Sequence, residues 1–139
     1  MYLIKIENSF DSAHFLSNYK GKCANIHGHR WKVEVTIQKE DLQLDGNSKD
    51  MVMDFSDFKK DLVELCDIFD HALIVEKGSM KTKTLECLKE EGFYIVEVDF
   101  RTTAENFSYY FFSYFNQKGY DVKRVVVYET PNNSAVYEV

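Results

Sequence analysis

The sequence predicts an α+β fold in which a four-stranded antiparallel sheet carries two main helices on one face. Apolar and polar residues alternate near both ends of the 139-residue chain. Two stretches between these ends repeat apolar residues every three or four positions, as amphipathic helices do. The resulting order is strand, strand, helix, small elements, helix, strand, strand. Because about 100 to 150 residues is the usual size of one domain, we expect residues 1–139 to share a single core.

Two strands are expected at the amino-terminal end. The segment 2–15 begins with alternating apolar and polar residues. In the segment 31–38 every odd position is apolar and every even position is polar, which is typical of a strand with one buried face. Side chains two apart in a strand point to the same side. Extending the alternation backwards therefore places His27 and His29 on the buried face with Trp31.

The first helix is expected over residues 55–69, where apolar side chains recur every three or four positions. Asp54 or Ser56 can cap its start. Farther along the chain, residues 80–90 fit a short helix and residues 94–98 fit a short strand.

The second helix is expected to begin at a capping box. In this motif Thr102 accepts a hydrogen bond from the third backbone amide of the helix, and Glu105 reaches back to the cap. The helix then runs to about Lys118. Aromatic side chains within 107–115 surround most of it, which a helix covering one core does not need. They are expected either to contact other subunits or to fill a bulky core within the chain.

The last two strands are expected at 122–129 and 134–139, joined by a turn-forming cluster of one proline and two asparagines. Glu129 ends the first of these strands directly after an apolar run. An acidic side chain contributes little to stability there. Glu129 is therefore either a substrate-binding carboxylate or a solvated strand end.

Composition narrows the functional classes. The chain has 17 basic and 23 acidic residues, giving a net charge of −6. It lacks the basic surplus with which general nucleic-acid-binding proteins displace counterions. Cys23, Cys66 and Cys87 form no Cys-x-x-Cys pair, and an odd number of scattered cysteines is typical of a reducing compartment. No apolar run approaches the roughly 20 residues of a membrane span. We expect a cytoplasmic protein without nucleic-acid or membrane partners.

Histidine is distributed unevenly, because three of the 4 histidines fall within residues 14–29. His27 and His29 share one face of their strand, and His14 lies on the neighbouring strand of the expected hairpin. Three imidazoles with an open fourth position are typical of a catalytic zinc site. The alternative is that each is an ordinary hydrogen-bonded strand residue.

Two further groups can carry chemistry. Cys23 lies four residues before His27 and is either a fourth ligand, which would close a structural zinc site, or a nearby thiolate that accepts a proton. Asp70 and His71 end the first helix. A carboxylate beside an imidazole can orient it and stabilise its protonated form, although the helix dipole also favours histidine at this position.

Six motifs in matching order resemble the 6-pyruvoyltetrahydropterin synthase and 6-carboxytetrahydropterin synthase family across nearly the whole chain. They are Phe10–His14, Cys23–His29, Met51–Phe55, Asp70-His71, Thr103–Asn106, and Glu129-Thr130 with Ala135–Tyr137. The resemblance implies a T-fold subunit that assembles into a barrel-based oligomer, usually a hexamer, with active sites between subunits. Two segments depart from the family pattern: Ala72–Val75 replaces an Asn-containing motif, and Arg101-Thr102 stands where proline is frequent.

The resemblance also implies a substrate, 7,8-dihydroneopterin triphosphate, and a cofactor, one Zn²⁺ per subunit. His14, His27 and His29 would be the zinc ligands. Zinc would bind hydroxyls of the substrate side chain and make the neighbouring protons easier to remove. Cys23 would accept a proton.

The remaining roles follow from the same resemblance. Asp70 and His71 would form the catalytic relay to the thiol. Glu129, also a catalytic candidate, would anchor the guanidine-like edge of the pterin through two parallel hydrogen bonds. Glu105 and Thr103 would bind the substrate nearby.

The interval from Cys23 to His27 resembles the shorter loop of the bacterial carboxy-forming enzymes of queuosine biosynthesis. We therefore expect a 6-carboxy-5,6,7,8-tetrahydropterin product, with release of acetaldehyde and triphosphate. One alternative is a pyruvoyl-forming triphosphate lyase of a tetrahydrobiopterin-type pathway, and another is a non-catalytic zinc-stabilised pterin-binding module. Lys20, Lys22 and Arg101 are candidates for binding the triphosphate.

Overall fold

The computed structural model describes all 139 residues and contains six strands and three α-helices. In chain order these are β1 (Tyr2–His14), β2 (His27–Lys39), α1 (Phe55–Phe69), β3 (Leu73–Glu76), α2 (Thr82–Glu90), β4 (Ile95–Val98), α3 (Ala104–Gln117), β5 (Val122–Thr130) and β6 (Asn133–Glu138). One turn of 3₁₀ helix, Lys22–Ala24, lies between β1 and β2. The α+β class is confirmed. None of the helices combines the length and apolar character needed to cross a bilayer.

The strands form one mixed sheet in the order β4-β3-β1-β2-β5-β6. The four strands β1, β2, β5 and β6 pair antiparallel as predicted, but the predicted strand count of four is wrong. Strands β3 and β4 extend the sheet through parallel pairing, with Ala13 opposite Leu73 as the single pair that joins β3 to β1. Strand β3 has only four residues, three apolar ones followed by Glu76, so periodicity gives no signal for it.

The core lies between the sheet and the helices α1 and α3. In the β1–β2 register Phe10 stands opposite Trp31, with ring centroids 6.2 Å apart. Phe69 of α1 lies 5.6 Å from Phe10, and Phe107 of α3 lies 5.0 Å from Trp31. All four rings are buried. Direct aromatic contacts thus hold both helices to the same part of the sheet.

The aromatic residues of α3 pack largely within the chain. Its fully buried rings are Phe107, Phe111 and Phe115. On another side of the helix, Phe112 and Tyr109 contact Tyr137 of β6 with centroid separations of 4.7 and 5.0 Å. The intrachain core therefore accounts for the three buried rings, whereas Tyr109 remains 54% exposed.

The predicted capping box at the start of α3 is wrong by one residue. The cap is Thr103, whose hydroxyl oxygen accepts a hydrogen bond from the backbone N–H of Asn106 at 3.2 Å. Glu105 consequently occupies the second helical position, where it is exposed and cannot reach back to the cap. The Thr102 side chain turns inward instead. At the other helix, Asp54 caps α1 as predicted.

Candidate metal and substrate site

The three clustered histidines meet at one end of the β1–β2 pair. His14 lies directly opposite His27, and His29 lies opposite Ser12. Because all three side chains continue the buried faces of their strands, their rings converge. The ring centroids are 4.6 Å apart for His14 and His27, 5.1 Å for His14 and His29, and 4.8 Å for His27 and His29. The structure thus brings together the residues that the sequence singled out.

Hydrogen bonds at Nδ1 leave two of the Nε2 atoms free. His14 Nδ1 lies 2.9 Å from the carbonyl oxygen of Thr102, and His27 Nδ1 lies 2.6 Å from that of Asn25. A carbonyl only accepts, so Nδ1 carries the proton in both bonds and Nε2 of the neutral ring offers a lone pair.

The Nε2 atoms of all three histidines are buried and make no hydrogen bond, although that of His29 lies 3.2 Å from a carboxylate oxygen of Glu129. Buried polar atoms usually have one, so three orphaned nitrogens in one place indicate a group that binds them.

Glu129 places a carboxylate beside the three histidines. It continues the core-facing alternation of Val125 and Val127 on β5, and its Oε1 lies 3.2 Å from His29 Nε2. The donor atoms of the three histidines and Glu129 all lie within 4.8 Å of one another. In a tetrahedral zinc site with Zn–N bonds of ~2.0–2.1 Å, ligand atoms are about 3.3 Å apart. These residues therefore fit a metal ion after a small contraction.

Sequence reasoning selected Glu129 for another role and did not place it beside the histidines. Because side chains alternate along a strand, counting two residues on from Val127 would have predicted that Glu129 lies on the same core-facing side as Val125 and Val127.

Burial favours the neutral, metal-binding form of His14 and His29. Desolvation, reinforced by repulsion from His27 and His29, lowers the pKa of His14 to about 4. Desolvation also lowers the pKa of His29, against the opposing attraction of Glu129. Neutral imidazole is the species that coordinates a metal.

Cys23 lies in the connection between the two histidine-bearing strands. It is half-buried in the 3₁₀ turn, and its carbonyl oxygen accepts a hydrogen bond from the backbone N–H of Leu16 at 2.8 Å. Its sulfur is not among the four clustered donor atoms. The geometry therefore does not support the alternative in which Cys23 closes the site as a fourth ligand.

Asp70 and His71 follow the end of α1 and form a hydrogen-bonded pair that is attached to Asp11 of β1. One carboxylate oxygen of Asp70 lies 2.7 Å from His71 Nδ1, while the other accepts from the backbone N–H of Asp11 at 2.9 Å. These contacts, the backbone bond first, lower the pKa of Asp70. His71 has a left-handed backbone with φ of 58°, a conformation that costs energy for a non-glycine residue. Its backbone N–H donates to the Asp11 carbonyl.

The pair makes no hydrogen bond to Cys23 of the same chain. Asp70 is anchored at Asp11, three residues and about 10 Å along the strand from His14. The His71 side chain is 79% exposed and lines an open cavity of about 680 Å³. No hydrogen bond joins it to Cys23. The cavity also has exposed apolar rings at its rim, including Phe93 and Tyr94.

The two remaining candidates, Thr103 and Glu105, lie at the start of α3. Thr103 follows directly after Thr102, whose carbonyl oxygen contacts His14. Its hydroxyl serves as the helix cap, and the Glu105 side chain points to solvent. Thr103 is therefore one residue from a histidine contact, and neither side chain makes a hydrogen bond to a histidine.

Comparisons with known proteins define the class. A sequence profile described as 6-pyruvoyl tetrahydropterin synthase matches residues 3–139. In structure, the chain is similar to an uncharacterised protein of Wolinella succinogenes, with a TM-score of 0.78, 19% identity and coverage of 99% and 97% of the two chains. It is also similar to Caenorhabditis elegans 6-pyruvoyl tetrahydropterin synthase, with a TM-score of 0.67, 25% identity and coverage of 100% and 97%. The fold is the T-fold of these synthases, and the chain belongs to the 6-pyruvoyl tetrahydropterin synthase family.

Within this family, curated relatives carry a more particular name. The chain is 36% identical over 144 residues to Haemophilus influenzae 6-carboxy-5,6,7,8-tetrahydropterin synthase, covering 99% of each chain. The corresponding protein of Aquifex aeolicus is 30% identical over 127 residues, covering 84% of this chain and 76% of the relative.

The buried histidines predict how the stability of the metal-free protein depends on pH. Between pH 6.5 and about pH 4, His14 is protonated in the unfolded chain and neutral in the folded chain. Acidification through this window therefore favours unfolding. The free energy of unfolding of chelator-treated protein, measured by denaturant titration, should be full above pH 6.5 and fall towards pH 4. His14→Gln should reduce the fall, and an identical pH profile for both proteins would contradict this assignment.

Proposed function

We propose that this protein is a zinc-dependent lyase that converts 7,8-dihydroneopterin triphosphate and one water molecule to 6-carboxy-5,6,7,8-tetrahydropterin, releasing acetaldehyde and triphosphate. The observation that carries the proposal is the convergence of three buried Nε2 atoms without hydrogen-bond partners at one end of the sheet. The names of the curated relatives favour this product. Such an enzyme would act in the cytoplasm, in a queuosine or related deazapurine pathway.

His14, His27 and His29 would hold one zinc ion per subunit. Two of the rings already present an unprotonated Nε2 to the centre of the cluster, because their Nδ1 atoms donate to carbonyls. A bound zinc ion would supply Lewis-acid polarisation of the substrate's side-chain hydroxyls. The protein's part is to fix three neutral nitrogens in place.

Cys23 would accept a proton from the substrate, and an Asp70-His71 pair would take that proton from the thiol or return it to the thiol. The Asp70 carboxylate orients the His71 ring through the 2.7 Å contact and can stabilise its protonated form. Because this pair makes no hydrogen bond to Cys23 of its own chain, we assign the pair facing each thiol to a neighbouring subunit. The exposed Phe93 and Tyr94 beside His71 suit a subunit interface. A homohexamer is the proposed assembly.

Glu129 would bind the pterin, with Thr103 and Glu105 assisting at the start of α3. A carboxylate can accept two parallel hydrogen bonds from a guanidine-like edge. The Glu129 side chain is 30% exposed beside His29, so a ligand can reach it from solvent while remaining close to the histidines. This supports one binding site for both the pterin ring and the reacting side chain.

Two alternative functions share the site. The family profile and the C. elegans relative carry the pyruvoyl name, which favours a pyruvoyl-forming triphosphate lyase as the second candidate. A non-catalytic zinc-stabilised pterin-binding module would use the histidines and Glu129, but it has no use for Cys23 or for the strained His71 beside Asp70.

The identity of the product tests the proposed function. Purified zinc-loaded protein should be incubated with 7,8-dihydroneopterin triphosphate, and the pterin product and released acetaldehyde measured by mass spectrometry. We expect a 6-carboxy product and acetaldehyde. A pyruvoyl product would instead establish the second candidate, and binding without turnover would establish the binding module.

Substitutions of Cys23 and His29 should distinguish a role in proton transfer from a role in metal binding. Cys23→Ala should keep a zinc content near that of the wild type while lowering kcat by about 10²-fold or more, as expected for the loss of a general base. His29→Ala should lose both zinc and activity. Zinc content can be measured by atomic emission on dialysed protein. Loss of zinc from Cys23→Ala would make the thiol a ligand, and an active zinc-free His29→Ala would end the metal hypothesis.

Mixing inactive variants tests the assignment of the relay to a neighbouring subunit. Cys23→Ala and His71→Ala should each be nearly inactive alone. When they are dissociated, mixed and reassembled, some sites will combine an intact Cys23 with an intact His71, and activity should return. A mixture of Cys23→Ala with the double variant Cys23→Ala/His71→Ala is the control and should stay inactive. Failure of the first mixture to recover activity, despite mixed oligomers by native mass spectrometry, would contradict a shared site.

A further inference from the structure

Thr102 presents two oxygen atoms to the same histidine nitrogen. It lies directly before the Thr103 cap of α3 and is 1% exposed. The His14 Nδ1 atom is 2.9 Å from its carbonyl oxygen and 3.0 Å from its hydroxyl oxygen. His27, by comparison, has one acceptor at Nδ1, the carbonyl of Asn25. The two ligands therefore differ in how firmly their rings are held.

The hydroxyl of Thr102 is polarised to act as an acceptor. Its own hydrogen donates to the carbonyl oxygen of Phe15 at 3.3 Å, so its lone pairs are left for the Nδ1–H of His14. The Nδ1 proton is thus shared between the carbonyl and the hydroxyl. Two acceptors on one side of the ring restrict its rotation, and this rotation decides where Nε2 points.

The segment that carries Thr102 is itself fixed on both sides. Arg101 donates from Nη2 to the carbonyl oxygen of Ser17 at 2.9 Å, and the Asn106 side-chain amide donates to the Arg101 carbonyl at 2.9 Å. Thr103 caps the helix that follows. Thr102 therefore has a rigid support, which a residue needs if it is to orient another side chain.

We propose that the Thr102 hydroxyl is a positioning group for the metal ligand His14. It adds a second acceptor at Nδ1, which raises the ligand strength of Nε2 and fixes its direction towards the cluster. The proposal rests on the metal site of the proposed function.

The test compares Thr102→Val, which replaces the hydroxyl by a methyl group of similar size, with Thr102→Ser, which keeps the hydroxyl. Zinc affinity is measured by competition with a chromophoric chelator, and the visible spectrum of the Co²⁺-substituted protein reports ligand geometry. Removing an outer partner of a ligand commonly lowers metal affinity by about 10- to 100-fold. Because the Thr102 carbonyl remains, we expect about 10-fold weaker zinc binding and an altered cobalt spectrum for Thr102→Val, and wild-type behaviour for Thr102→Ser.

Several results would overturn the proposal. Wild-type affinity and an unchanged cobalt spectrum in Thr102→Val would show that the hydroxyl has no positioning role. An equal loss in Thr102→Ser would assign the effect to the γ-methyl group. If circular dichroism shows that Thr102→Val does not fold, Thr102→Ala is the replacement, with the same expected loss. Absence of zinc binding in the wild type would refute the metal site and this proposal together, whereas bound zinc without turnover would refute only the proposed reaction.

Discussion

The antiparallel register between β1 and β2 is the constraint on which the rest of the site depends. It sets His14 opposite His27 at the end of the pair and Phe10 opposite Trp31 four residues deeper. A shift of one residue in either strand would turn its histidines to the other face of the sheet. The buried aromatic contacts of Phe10 and Trp31 with both helices oppose such a shift. The core that stabilises the fold therefore also fixes the geometry of the candidate metal site.

The site is stabilised by its surroundings and not by its own residues. Three imidazoles without partners at Nε2 are a cost to the folded protein. The His14 ring nevertheless packs against Trp31, with ring centroids 5.0 Å apart. Its Nδ1 atom is hydrogen-bonded to the oxygens of Thr102. The strained backbone of His71 is a second cost, balanced by the contacts of Asp70 and His71 with the β1 backbone. Both costs fall on residues to which we assign chemistry, where such strain is commonly retained.

The local sequence pattern predicted the features that depend on residues close together in the chain. Alternation placed His27 and His29 on one face, and helical spacing located α1 and α3 within a few residues. It could not predict β3, which is too short to show a period, or its parallel pairing with β1. The contact between His14 and Thr102 joins residues 88 positions apart. The capping-box pattern had assigned the Thr102 hydroxyl to the helix, because a local motif cannot reveal that a distant histidine needs the same oxygen.

In the proposed metal site, three histidines and not Cys23 bind the zinc. X-ray absorption at the zinc edge of the loaded protein measures this most directly, because Zn–S bonds of ~2.3 Å are resolved from Zn–N bonds of ~2.0–2.1 Å. We predict three imidazole nitrogens, one further light-atom ligand and no sulfur. A sulfur ligand, or fewer than three imidazoles, would contradict the site described for His14, His27 and His29.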